Sequence, residues 1–324
     1  MNILLYIDDK IISQLNIEWG KLLSLIRKAV LIMHSGDYSQ PIKPYLRYGN
    51  TQNRIIAMPA YLGGDVCISG IKWIASFPSN IDIGLPRAHC TIVLNESTTG
   101  VPLAVFNSAK ISGLRTAAVS GTIIEEYVKN KQGKKFKVGI IGWGPIGKYH
   151  YSMVNEYFSN YIDEITIYDI KSIQNLDEIN SYQKIYTTIS NSWETLYNTS
   201  NIIITCTVSS SPYIDIEPNK DALLLNVSLR DYKSSIYKWV KDSIIVDDWD
   251  EVCRENTDIE NMHKEWGLSK NDTIDMYDVL FASKLSNRIT RPIMFNPMGL
   301  AIFDMIVFHH YYQLFLGSGN GIIL

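Results

Sequence analysis

The sequence predicts an α/β protein: a doubly wound parallel sheet joined to an α+β lobe built from both chain ends. Three observations carry this expectation. The first is a series of short, nearly continuous apolar runs: "KVGIIG" (137–142), "EITIYD" (164–169), "IIITCT" (202–207), "ALLLNVS" (222–228) and "SIIVDD" (243–248). Polar or helical connections separate them, as expected of parallel strands covered on both faces. The second is a different grammar upstream, where β-type runs follow one another with only turn signals between them. The third is the spacing Gly142, Gly144, Gly147 directly after the first apolar run.

Taken in order, residues 17–35 place Leu22, Leu25, Ile26, Ala29, Val30 and Met33 at helical spacing, ending near Ser35-Gly36. Residues 53–77 and 90–107 contain "RIIAMPAYL", "VCISGIKWIASF" and "CTIVLNESTTGVPLAVFN", divided by Gly63-Gly64, Gly84 and the "NESTTG" turn. That pattern predicts a mostly antiparallel sheet. A long helix is expected from Ser112 to Lys131, and an apolar, aromatic helix from Met298 to Leu316 that folds back onto the first lobe. The first domain is therefore expected to be built from both chain ends.

Composition narrows the function. A chain of 324 residues is long enough for about two domains. Hydrophobic residues at 46% are enough for a real core. A net charge of −3 gives no electrostatic case for nucleic acid or an anionic membrane. The four cysteines are scattered without C-x-x-C or metal-ligand spacing, which favours a reduced, cytoplasmic protein without a metal site. The opening "MNILLYIDDK" meets Asp8 and Asp9 too early for a signal peptide, and no apolar run approaches the ~18 residues of a membrane helix.

The glycine spacing has a physical logic. Gly142 makes the turn, Gly144 lets backbone approach a pyrophosphate, and Gly147 lets helix pack on strand, with Pro145 and Ile146 between them. The phosphates would sit on unpaired N–H groups at the helix start. Asp169 closes the next apolar run, about 20 residues on, where a carboxylate accepts the adenosine ribose hydroxyls. Its charge would repel a 2′-phosphate, so the expected cofactor is NAD in a Rossmann domain.

Residues 69–78 ("SGIKWIASFP") and 111–121 ("ISGLRTAAVSG") resemble the ornithine cyclodeaminase/μ-crystallin family, as do "YLR" (45–47) and "NPMG" (296–299). "QPIKPYLR", "RIIAMPA", "ISGIKWI", "ITCTV", "VDDW" and "NPMG" look more like one branch. That branch uses NAD to cleave N-(2-amino-2-carboxyethyl)-L-glutamate into L-2,3-diaminopropionate and 2-oxoglutarate, for siderophores or peptide antibiotics. The resemblance implies a split lobe, 1–115 with 296–324, that binds substrate and forms a homodimer, and a Rossmann NAD-binding lobe, 116–295. It also implies that Arg47, Lys72 and Arg115 bind an amino-acid substrate, that Thr116 touches the cofactor phosphates, and that Asp231 in "LNVSLRD" is catalytic alongside Lys72. Thr205, Cys206 and Thr207 of "ITCTV" fall where the fourth strand passes the cofactor.

Departures bear on the alternatives. Cyclodeaminases carry Glu where this chain has Ile56, which disfavours an ornithine cyclodeaminase, while a related cyclic imine reductase stays an alternative. The family's "A-x-E-D" is "AIFD" here, with Phe303 for Glu, and a Lys-Glu after Asp231 is altered to "YKSSIY". Phe303 favours a non-catalytic, μ-crystallin-like dinucleotide-binding protein, whereas Lys72, Arg115 and Asp231 favour turnover. Arginine forks match carboxylates, and Lys72 lies inside an apolar strand where an unpaired charge would be costly. His309-His310 suits packing, and Asp247-Asp248 ends a strand rather than forming a metal pair. Cys206 suits a small contact residue rather than a nucleophile, since no histidine is adjacent to it.

Overall fold

The computed structural model describes residues 4–50, 52–131, 133–173, 183–285, 291–318 and 322–323. The chain divides into two compact units, Met1–Thr116 with Leu300–Leu324, and Ala117–Gly299. Among the described residues, no helix is long and apolar enough to cross a membrane.

The first unit contains strands Leu5–Asp8 (β1), Tyr38–Ser39 (β2), Tyr45–Leu46 (β3), Arg54–Leu62 (β4), Ile68–Ser76 (β5), Ala88–Glu96 (β6) and Pro102–Asn107 (β7). A last strand, Ile322–Ile323, pairs with β1, and the sheet then runs β1-β7-β6-β5-β4-β2 with β3 also on β4. β4 to β7 pair antiparallel, as their turn signals predict, while β1 lies parallel to β7. Alternation puts Met58, Ala60, Leu62, Ile68, Lys72, Cys90, Ile92, Leu94, Ala104 and Phe106 on one buried face. Helices Trp19–Ser35 and Ala301–Ser318 pack there. The second of these is apolar around its whole circumference, so it needs protein on several sides. Phe308 meets Phe106 edge-on at 5.0 Å between ring centroids.

The second unit is an all-parallel sheet of Phe136–Ile141 (β8), Ile162–Tyr168 (β9), Tyr186–Ile189 (β10), Ile202–Thr205 (β11), Leu223–Asn226 (β12), Ile244–Val246 (β13), Ile274–Asp275 (β14) and Ile293–Asn296 (β15). Its order is β10-β9-β8-β11-β12-β15-β13-β14. The chain builds outward from β8 to β10, then returns to place β11 on the other side of β8. That reversal is a topological switch point at the carboxyl ends of β8 and β11, the place where open α/β sheets bind ligands. Five of these strands follow the apolar runs. β10, β14 and β15 are additions: β10 is a partly exposed edge, β14 has two residues, and β15 inserts between β12 and β13 out of chain order.

The helix expected over 112–131 spans Lys110–Lys129, and the tail helix expected over 298–316 spans Ala301–Ser318. Each shift is within two or three residues, the usual uncertainty of a frayed end.

Candidate active site

In the first unit, Lys72 on β5 and Arg115 on the helix Lys110–Lys129 are drawn to one carboxylate. Lys72 Nζ lies 2.5 Å from Asp304 Oδ2 and 3.3 Å from Ser112 Oγ. Arg115 donates from Nε to Asp304 Oδ1 at 2.8 Å and from Nη2 to Oδ2 at 3.1 Å, the two-pronged geometry that suits guanidinium and carboxylate. Lys72, Arg115 and Asp304 are 2%, 5% and 0% exposed. Two cations and one anion leave a buried group with excess positive charge, which a bound carboxylate would balance.

Burial pulls the Lys72 ammonium below its ordinary pKa, with the Asp304 charge opposing that pull and Arg115 adding to it. Cys90, on the same face, has its thiol pushed up to about 12 by burial and stays protonated. Arg47 occupies different surroundings: it is exposed just past β3, with its guanidinium 5.1 Å from the Tyr45 ring centroid. Thr116 donates its hydroxyl to Ser112 O at 2.9 Å.

In the second unit, the glycine turn joins β8 to the helix Pro145–Tyr157. Gly142 has φ +102, a left-handed value, and a Cβ there would meet the Cys206 carbonyl at 2.7 Å. A Cβ on Gly147 would come within 2.0 Å of the Gly142 carbonyl oxygen, so helix and turn approach as closely as the motif demands. At Gly144 a Cβ would meet nothing within 4 Å. Gly144 caps the helix without any side-chain bond, and Pro145 occupies its first turn. The Asp169 carboxylate accepts the N–H of Trp143 at 2.6 Å and of Lys171 at 2.8 Å, fixing it beside the turn. Open space at the second glycine, a helix start with no side-chain cap and an anchored carboxylate together fit a dinucleotide.

Asp231 lies fully buried after β12. The hydroxyls of Thr207 and Ser228 donate to its two oxygens. Burial raises its pKa against the pull of those hydroxyls, so it is no solvated loop aspartate. Leu229 in the preceding turn has φ +62, an uncommon conformation for a branched residue. Asn226 Oδ1 takes the Leu229 N–H at 3.1 Å, and Asp258 Oδ2 takes Asn226 Nδ2 at 2.9 Å and the Tyr232 N–H at 3.1 Å. Thr205 is fully buried, its hydroxyl 3.4 Å from Asn226 Oδ1.

Sequence reasoning missed several groups. Asp304, the acid of "AIFD" in a largely apolar helix, gathers both cations, a role that its place in that segment did not reveal. Asp258 supports the Asp231 turn, and burial pushes its carboxyl up to about 7. The expectation that Cys206 has no neighbouring histidine is corrected: folding brings His150 Nδ1 to 3.8 Å from its sulfur. That ring nitrogen also lies 2.8 Å from the Ile146 carbonyl oxygen, while Nε2 is 2.9 Å from Ser120 Oγ. Burial lowers His150 to about 4 and raises the Cys206 thiol, so the pair is neutral and not an activated nucleophile. Asp247 and Asp248 also have structural partners. Asp247 accepts the N–H groups of Met298 and Gly299, and Asp248 caps the helix Trp249–Val252.

A split lobe with a buried cation pair and a dinucleotide-type parallel unit in one chain define a class of amino-acid-handling α/β proteins. The chain belongs to the ornithine cyclodeaminase/mu-crystallin family, whose model matches residues 7–317. It is 35% identical to the N-((2S)-2-amino-2-carboxyethyl)-L-glutamate dehydrogenase of Staphylococcus aureus, over 86% of this chain and 84% of that protein. Its fold is similar to the Δ1-pyrroline-2-carboxylate reductase of Thermococcus litoralis, solved with NADH and L-proline. That match has a TM-score of 0.83 and 23% identity over 99% of this chain and 100% of that one. An archaeal alanine dehydrogenase dimer with bound NAD has a TM-score of 0.82 and 23% identity over 99% of each chain.

Proposed function

We propose that the chain is an NAD-dependent dehydrogenase that converts N-(2-amino-2-carboxyethyl)-L-glutamate and water to L-2,3-diaminopropionate and 2-oxoglutarate. The observation that carries this reading is the excess positive charge of the buried Lys72–Arg115–Asp304 group. A substrate with three carboxylates needs several cations, and this chain has no general surplus of them. The 35% identity to the staphylococcal dehydrogenase supports the particular substrate.

Lys72 and Arg115 hold the carboxylate beside the reacting carbon, and Arg47 contributes a further cation. Gly142, Gly144, Pro145, Ile146, Gly147 and Asp169 hold the dinucleotide, with Thr116, Thr205, Cys206 and Thr207 contributing to the same task. Bound there, NAD supplies the hydride acceptor for C–N oxidation. Asp231 is the general base: it takes a proton from the substrate nitrogen or from the water that adds to the resulting imine. The hydroxyls of Thr207 and Ser228 hold it in place for that transfer. The product diaminopropionate would feed a siderophore or a peptide antibiotic. The reading also carries a cytoplasmic homodimer, supported by an apolar sheet face on which Trp73 is 43% exposed.

The test follows reduced-cofactor formation with two substrates. N-(2-amino-2-carboxyethyl)-L-glutamate should accumulate one NADH per diaminopropionate formed, and ornithine should give neither NADH nor proline. Proline from ornithine without net NADH would replace this reading with a cyclodeaminase. Tight NADH binding with no turnover of either substrate would replace it with a binding protein.

A further inference from the structure

The turn that carries Asp231 is held from outside by one residue of a later helix. β12 ends at Asn226, and the chain runs through Ser228, Leu229 and Arg230 before Asp231 and Tyr232. Leu229 has φ +62, a backbone cost that persists only where the surroundings enforce it. Asp258, the first residue of the helix Asp258–Trp266, is fully buried and touches this turn at three points. Its own N–H donates to the Leu229 carbonyl oxygen at 2.8 Å, at the strained position. Its Oδ2 accepts Asn226 Nδ2 at 2.9 Å, where the turn begins, and the Tyr232 N–H at 3.1 Å, one residue past Asp231. Asn226 in turn accepts the Leu229 N–H at 3.1 Å through Oδ1. A single carboxylate oxygen thus closes the stretch of backbone on which Asp231 stands.

Asp258 does this without needing its charge. Among the described residues its Oδ1 makes no hydrogen bond, so a proton settles there and leaves Oδ2 free to accept from both donors. Burial favours that protonated form. The start of the helix holds the residue firmly, because Thr257 caps it by accepting the Glu260 N–H at 3.2 Å. Arg230 Nη2 donates to the Glu255 carbonyl oxygen at 2.8 Å, a second tie between the turn and the segment before that helix. We infer that Asp258 is a positioning residue for the proposed base: its Oδ2 clasps both ends of the Asn226–Tyr232 turn and so fixes where the Asp231 carboxylate stands. This rests on the proposed role of Asp231 in the reaction, but the hold on the turn can be measured without any substrate.

Asp258→Ala removes both acceptor contacts, whereas Asp258→Asn keeps them through its amide oxygen and puts its NH2 in the place of the unbonded Oδ1. Asp258→Ala should lower kcat for N-(2-amino-2-carboxyethyl)-L-glutamate about 10- to 100-fold, the scale of a catalytic group displaced by about 1 Å, with KM and NADH affinity near wild type. Asp258→Asn should restore most of that rate. In an Asp231→Asn background, Asp258→Ala should cost little more, because a residue acting through Asp231 has nothing left to position. Hydrogen exchange without substrate should speed up across residues 226–232 in Asp258→Ala and stay near wild type in Asp258→Asn. Thermal melting checks folding; if Asp258→Ala does not fold, Asp258→Ser, whose hydroxyl falls one bond short of both donors, is read in its place. Unchanged kcat in folded Asp258→Ala, an equal loss in Asp258→Asn, or the same loss with Asp231 already replaced would overturn the assignment. So would unchanged exchange across 226–232. A wild-type protein that forms no diaminopropionate would refute the proposed reaction, and the exchange comparison alone would then decide whether Asp258 holds the turn.

Discussion

Replacing Asp304 with Asn tests whether one carboxylate holds the buried cation pair. The substitution keeps the shape and removes the charge, leaving Lys72 and Arg115 with two positive charges at 2% and 5% exposure. Removing one partner of a buried ion pair costs about 3–5 kcal/mol, because the remaining charge is left uncompensated. The loss should depend on pH. Burial already holds the Lys72 pKa below its ordinary value, and Asp304 is the main force opposing that shift. Without Asp304 the folded-state pKa falls further, while the unfolded value stays near ~10.4. Between the two values the unfolded chain binds the extra proton, so stability rises with pH across that window. Urea unfolding of Asp304→Asn should therefore show its largest deficit near neutral pH and recover toward about pH 10 as Lys72 becomes neutral in the folded state. A deficit under about 1 kcal/mol, or one that does not change with pH, would refute the reasoning, since an exposed pair behaves that way.

Three other outcomes follow from the same geometry. Asp231→Asn should lower kcat by ~100-fold or more with NADH affinity retained, and near-wild-type turnover would remove Asp231 from the chemistry. Gly147→Ala should abolish measurable NADH binding by calorimetry, because its Cβ would lie 2.0 Å from a backbone oxygen; wild-type affinity would show that the turn can relax. Asp258 is raised to about 7, so the folded chain binds a proton there that the unfolded chain lacks between about pH 4 and 7, and stability falls as pH rises through that window. Asp258→Asn should flatten this slope in urea unfolding, and an unchanged slope would assign it to other groups.

The second unit was the more legible half. Five apolar runs marked five strands: β8, β11, β12 and β13 are buried almost throughout and carry no polar alternation to confuse them, while β9 alternates but stays apolar enough to be seen. β10 was hidden by its edge position, where "YTTI" mixes polar and apolar residues, and β14 by its length of two residues. β15 was apolar enough to be seen, but its place between β12 and β13 is a tertiary outcome that no local pattern encodes.

The glycine turn was readable because each glycine answers a local steric demand. The cation group was only half readable. An apolar strand around Lys72 signals that its charge needs a partner, but Asp304 lies 232 positions from Lys72 and 189 from Arg115. His150 escaped notice beside Cys206 for the same reason, 56 positions away and joined only by folding.

The most direct measurement uses N-(2-amino-2-carboxyethyl)-L-glutamate carrying deuterium at the glutamate α-carbon, with the reduced cofactor and both products analysed by mass spectrometry. Deuterium should appear in the reduced cofactor, one per molecule of unlabelled 2,3-diaminopropionate. Deuterium released to water, or retained in 2-oxoglutarate at the former α-carbon's neighbours, would contradict hydride removal at that carbon.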